Sequence, residues 1–215
     1  MKRVTLQEFQ NYRSIFENIS KNETLKTELA EYGYDEEEIA KGKALYDIAE
    51  EKLEANKAET AEEKLAYANF SKKFEELKKS YSTDRKKVKI IYKNDDRVLS
   101  VLGVKGIISI KISDFINGVD TLYKQLNASP ELLTPLARLK INQEHIDKQL
   151  LLLEEVKNAY SNYSKEKGES QQATKDKDKA LSDLVKWVRE FYAIAKIALE
   201  DQPQLLESIG KFVRS

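Results

Sequence analysis

An all-α fold, an up-and-down helical bundle built from two tandem helical-hairpin units with short flanking helices, is predicted by three features. Apolar residues recur at spacings of three and four along extended stretches. Turn-forming residues are scarce, with 7 glycines and 3 prolines in 215 residues, too few for a sandwich or barrel. A pattern of apolar positions also repeats at a separation of 107 residues. With 40% hydrophobic and 34% charged residues, the chain holds enough apolar material for a core, which excludes wholesale disorder.

In chain order, two short helices are expected at about 5–19 and 24–32, the second ended by Gly33. Asp35 with Glu38 reads as a capping box opening a long helix. Along it Ile39, Gly42, Tyr46, Ala49 and Leu53 form a narrow stripe of the coiled-coil kind. A second box, Thr60 with Glu63, predicts a turn near Ala58–Ala61. The return helix then carries Tyr67, Phe70, Phe74, Leu77, Tyr81, Asp84, Val88 and Ile91. Asp95 is placed to cap a last short helix. Ile107–Ile112 alternates too briefly to separate a strand from an extended connector.

The second half repeats this order. Helices are expected at about 113–126 and 130–139, with Ser129 as cap and Pro130 in the first helical position. A hairpin follows, with Ile146, Gln149, Leu153, Val156, Tyr160 and Tyr163 on one arm. After Lys-Glu-Lys-Gly-Glu-Ser, the other arm carries Leu181, Leu184, Val188, Phe191, Ala195 and Ala198, and Asp201 is placed as the final cap. At the 107-residue offset Leu29, Ala30, Glu37, Ile39, Lys41 and Leu45 fall on Leu136, Ala137, Glu144, Ile146, Lys148 and Leu152, and Gly103 falls on Gly210. The reading is one bundle domain, 1–215, made of repeats at about 1–105 and 107–215. Leu45, Ile48, Leu150, Leu151 and Leu152 widen the apolar faces, and the short helices are expected to cover most of that surplus. With its repeat punctuation and its ending ALEDQPQLLESIGKFVRS, the chain resembles a group of uncharacterised bacterial all-helical proteins of similar length. That resemblance implies the helical fold and carries over no functional residue.

Composition narrows the chemistry. The absence of cysteine excludes a thiolate nucleophile and a Cys-ligated metal centre. One histidine cannot supply a multi-His centre, and no metal or cofactor is expected. His145 follows Glu144 directly, without the Glu-x-x-His spacing of a di-iron bundle, and is read as solvated. Glu36, Glu37 and Glu38 sit in a first helical turn, where the helix dipole favours them without a metal. Residues 71–93 carry a net charge of +6 and residues 35–63 a net charge of −7. Their mutual attraction in a folded hairpin is preferred over nucleic-acid binding along Lys72–Lys93, so no nucleic-acid partner is expected. No phosphate loop, nucleophile elbow or zinc-protease motif is present, and the chain is read as not an enzyme.

Asp84 interrupts an apolar stripe at the position where the second repeat has Phe191. A buried carboxylate must find a partner, and Glu36–Glu38 are expected near its level. The functional expectation is a non-catalytic scaffold or interaction protein with an unidentified protein partner, monomeric or weakly dimeric. The alternative is a small-ligand or ion site at the repeat junction formed by Asp84, Tyr81, Trp187 and Tyr192. No run of ~18 apolar residues is present, so no membrane span is expected. The N-terminus lacks the apolar run of a secretory signal, and a cytoplasmic location is the default.

Overall fold

The computed structural model describes residues 4–210, so the outermost residues of both proposed repeats lie outside the description. Among the described residues there is no strand. The elements are α1 (Leu6–Lys21), α2 (Glu23–Glu31), α3 (Glu36–Ile91), α4 (Asp96–Val101), α5 (Ile112–Ala128), α6 (Pro130–Leu133) with a 3₁₀ turn at Thr134–Leu139, α7 (Gln143–Ala198) and α8 (Pro203–Ser208). Residues 107–111 form an irregular connector, and Ile112 opens α5. From α3 to α7, and again from α4 to α8, both ends shift by the same 107 residues.

The predicted hairpin turns do not form: α3 and α7 each run through them as continuous helices of 56 residues. The segment around Ala58–Ala61 holds no glycine or proline and is built from Ala, Glu, Lys and Leu, among the strongest helix formers. Thr60 has no capping role, because its hydroxyl donates back to the Asn56 carbonyl, 2.7 Å away and one turn earlier. In α7 the expected break at Gly168 is likewise absorbed; a glycine inside a helix costs only about 1 kcal/mol relative to alanine. The acidic and basic stretches of α3 therefore do not face each other across a hairpin. Lys73 of the basic stretch pairs instead with Glu155 of α7.

The chain divides into two compact units. Unit 1 holds the residues up to Thr60 and those from Glu169 onward; unit 2 holds Ala61–Gly168. In unit 1 the first part of α3 lies antiparallel to the last part of α7: Asn56 bonds Thr174, and Glu38 bonds Trp187. Its core joins Ile15 and Ile19 of α1, Leu25 and Leu29 of α2, Tyr46 and Ala49 of α3, and Leu184, Val188, Phe191 and Ala195 of α7. In unit 2 the rest of α3 pairs antiparallel with the start of α7, with Phe70 on Tyr160 and Tyr67 on Tyr163. There Leu77, Tyr81 and Val88 pack against Val119, Leu122, Tyr123 and Leu126 of α5 and Ile146, Leu153 and Val156 of α7. Each large apolar side chain removed from water contributes roughly 1.5–3 kcal/mol, so each unit carries its own core. Of the surplus apolar residues, Leu45, Leu150 and Leu152 are covered wholly or in part, whereas Ile48 and Leu151 stay exposed.

The local punctuation follows the caps. Thr5 and Glu8 form a reciprocal box at α1, Asn22 caps α2, and Asp95 accepts from the Val98 N–H at α4. Asp35 accepts from the Glu38 N–H at 3.0 Å, but the Glu38 side chain reaches to Trp187 instead of closing the box. Ser129 holds the cap position of α6 without a side-chain bond, and Gln202, in place of Asp201, holds that of α8. Gly33 ends α2 at φ +85°, with the Tyr34 N–H donating to the Leu29 carbonyl. At the matching offset Lys140 takes the left-handed conformation, φ 64°, and the Ile141 N–H donates to the Leu136 carbonyl.

Candidate functional site

Asp84 stands on the α3 stripe of unit 2, between two turns of apolar side chains, and only 1% of it is exposed. Three donors meet its carboxylate. Tyr123 of α5 donates its hydroxyl to Oδ2 at 2.9 Å, and His145 Nε2 lies 2.6 Å from the same oxygen. Lys87, one turn along α3, reaches Oδ1 at 3.3 Å. A carboxylate only accepts, so Nε2 of His145 carries the proton in this contact. Glu36–Glu38, expected beside Asp84, belong to unit 1 instead.

His145 is not the freely solvated residue that its neighbours suggested. Asn142 accepts from the His145 backbone N–H at 2.9 Å and caps the first turn of α7, from which the imidazole reaches Asp84. The side chain remains 23% accessible. Burial, then the Asp84 charge and the hydrogen bond to it, push the Tyr123 phenol far above its ordinary value, so it remains a donor at any physiological pH.

Arg85 stands next to Asp84 in sequence and is 6% exposed. Its guanidinium donates to the Tyr81 hydroxyl at 3.2 Å and to the carbonyls of Val104 and Gly106 at 3.0 and 3.1 Å, tying the loop after α4 to α3. The Tyr81 hydroxyl approaches Gly118 of α5 so closely that a side-chain carbon there would lie 2.9 Å from it. One turn after His145, Gln149 is 4% exposed and its Oε1 has no hydrogen-bond donor.

The four residues read from the sequence as one site divide between the two units. Asp84 and Tyr81 lie in unit 2, and Trp187 and Tyr192 lie in unit 1. Trp187 stacks on Phe191 with ring centroids 5.2 Å apart and donates its indole N–H to Glu38 at 3.0 Å. Gly42 leaves room for that ring, since a Cβ at this position would lie 2.3 Å from it. Tyr192 donates to the Ile209 carbonyl at 2.8 Å and anchors the end of α8, as Arg85 anchors the loop after α4. These are packing roles. Tyr123, Gln149 and the contact of His145 with Asp84 were missed. The available signal was a pair of polar interruptions, Asp84 on one apolar stripe and Gln149 on the other.

Chemically, an aspartate holding one imidazole nitrogen is half of an acid–base relay. Among the described residues no serine or threonine hydroxyl donates to His145, and the donors around Asp84 satisfy both carboxylate oxygens. This arrangement ties three helices together.

Unit 1 carries a different feature, an open groove of about 1080 Å³ between α1, α2 and the first half of α3. Its floor is formed by the buried side chains of Phe16, Ile19, Tyr34 and Tyr46 and by half-buried Ile39. Seven carboxylates and three cations line it as well. Arg13 pairs with Glu17, Lys26 with Glu23 and Lys43 with Asp47, each within its own helix. The net charge of the lining is therefore negative, with Glu31, Asp35, Glu36 and Glu50 in excess.

Comparison with protein-family models, with curated proteins and with solved structures returns no match. Among the described residues no helix is long and apolar enough to cross a membrane.

Proposed function

We propose that the chain is a non-catalytic helical interaction protein whose recognition surface is the groove of unit 1. One observation carries this reading: the groove is an open concavity with more carboxylates than cations over a nearly closed apolar floor, while the Asp84 network is closed on itself. A photo-crosslinking benzophenone side chain at Ala40, in the groove, should give a discrete protein adduct in an extract of the native source. The same group at exposed Ile197 on α7 should not. No adduct, or equal adducts at both positions, would remove the reading.

A tandem duplication within one bundle domain, 1–215, is part of the same proposal, supported by the equal 107-residue offsets of α3 to α7 and α4 to α8. Each repeat then contributes one long helix in place of a hairpin. Matching positions under this offset differ in kind: Ser80, Asp84, Tyr123, His145 and Gln149 answer to Trp187, Phe191, Phe16, Glu38 and Gly42. A stack of aromatic rings occupies in unit 1 what polar groups occupy in unit 2.

The orphaned Oε1 of Gln149 favours a second reading, a small polar ligand or ion held in unit 2 near Asp84. A ligand bound there should raise the melting temperature of the native chain and leave that of Gln149→Leu unchanged. A screen of metal ions and small polar metabolites that gives no shift in the native chain removes this second reading.

A further inference from the structure

We infer that the occupant of the unit 1 groove is an amphipathic α-helix with basic flanks, an inference that rests on the proposed interaction role. The walls decide the form of the partner. The backbone groups of α1, α2 and α3 pair along each helix apart from the end turns, and no strand edge is available among the described residues, so a peptide cannot be held by strand addition. Recognition must then come from side chains set into a trough, which suits a helix presenting apolar anchors at i, i+3 or i+4, and i+7. At about 1080 Å³ the groove lies at the upper end of small-ligand sites and has room for several such anchors.

Charge decides the composition of the flanks. The three lining cations are held by acids of their own helices, and the excess carboxylates Glu31, Glu36 and Glu50 stand exposed. A partner with acidic flanks would meet like charge, and one with lysine or arginine flanks would be drawn in and oriented. Half-buried Ile39 offers the apolar contact between them, over the nearly closed rings of Tyr34 and Tyr46.

The test uses the full chain and two fluorescent helical peptides that share one leucine face, one flanked by lysine and arginine and the other by glutamate. Anisotropy should show the basic peptide binding at least tenfold more tightly than the acidic one, with an affinity that falls as salt rises. Glu31→Lys combined with Glu50→Lys should weaken the basic peptide at least tenfold and strengthen the acidic one. Ala40→Trp, which fills the groove from an exposed position, should weaken both, with an unchanged circular dichroism spectrum confirming that the fold persists. Equal binding of the two peptides, no binding of the basic one, or indifference to both variants would overturn the inference. So would a concentration-dependent dimer lost in Ala40→Trp, which assigns the groove to a second copy of the chain. A protein adduct at Ala40 without binding of the basic peptide would defeat the helix and leave the interaction role standing. Absence of both would defeat the two together.

Discussion

Nε2 of His145 lies 2.6 Å from Oδ2 of Asp84 across 61 residues of sequence, and this contact joins the start of α7 to the middle of the second core stripe of α3. Tyr123 brings α5 to the same oxygen. The carboxylate is thus a shared acceptor for two other helices, and its burial is tolerated only because the donors replace water.

Replacing Asp84 by leucine should therefore destabilise the chain by about 1–3 kcal/mol, the scale for leaving a buried hydrogen-bond donor without its acceptor. Most of the cost falls on the Tyr123 hydroxyl, because His145 and Lys87 can both turn toward solvent. Tyr123→Phe, which leaves Asp84 with its other two donors, should cost about 1.5 kcal/mol. Urea unfolding measures both. An Asp84→Leu chain as stable as the native one would show that the network has no structural role.

Two glycines in long helices should respond in opposite senses to alanine. At Gly42 a Cβ would sit inside the Trp187 ring, so Gly42→Ala should destabilise by about 1–3 kcal/mol and shift the tryptophan emission. At Gly168 nothing lies within 4 Å, and Gly168→Ala should stabilise by about 0.5–1 kcal/mol. Equal effects at the two positions would contradict the packing described here.

The sequence is legible to different depths in different places. Apolar spacing locates the core faces, and Phe70, Leu77, Tyr81, Leu184, Val188 and Phe191 are all buried. Caps that depend on one side chain, such as Asp35 and Asp95, are equally plain. The helix at Ala58–Ala61 was misread because Thr60 and Glu63 have the spacing of a capping box. That spacing says nothing about whether the backbone leaves the helix, and the surrounding alanines, lysines and glutamates keep it helical. His145 was misread because its immediate neighbours are polar, while its partner lies on another helix. A contact between helices distant in sequence leaves no periodic trace. The groove is invisible for the same reason: its lining comes from three helices and its shape from how they splay.

Stability should decline on the alkaline side. In unit 1, Tyr34, Tyr46 and Tyr192 are each pushed from the ordinary value of 10 to about 12. Burial is the main cause, with nearby Glu190 adding to it at Tyr34 and the bond to Glu50 at Tyr46. The folded chain holds these protons after the unfolded chain has begun to lose them. The stabilisation is complete below pH 10 and is lost as pH rises toward 12. Urea midpoints should fall through that window, and tyrosinate absorbance should rise later in the folded chain than in the denatured one. A midpoint independent of pH there would contradict the buried environment of these phenols.

Continuity of α3 can be tested where the hairpin was expected. Ala61 is exposed, so a substitution there changes little besides the backbone. A turn at Ala58–Ala61 would accept proline at small cost, because turns use its fixed φ and do not need its N–H. Inside a helix the same residue removes the bond to the carbonyl four residues earlier and its ring collides with that carbonyl, at a cost of about 3 kcal/mol or more. Ala61→Pro should therefore lower stability by that amount and reduce the helical circular dichroism signal. Ala61→Gly should cost about 1 kcal/mol. Full retention of stability in Ala61→Pro would restore the hairpin and remove the 56-residue helix.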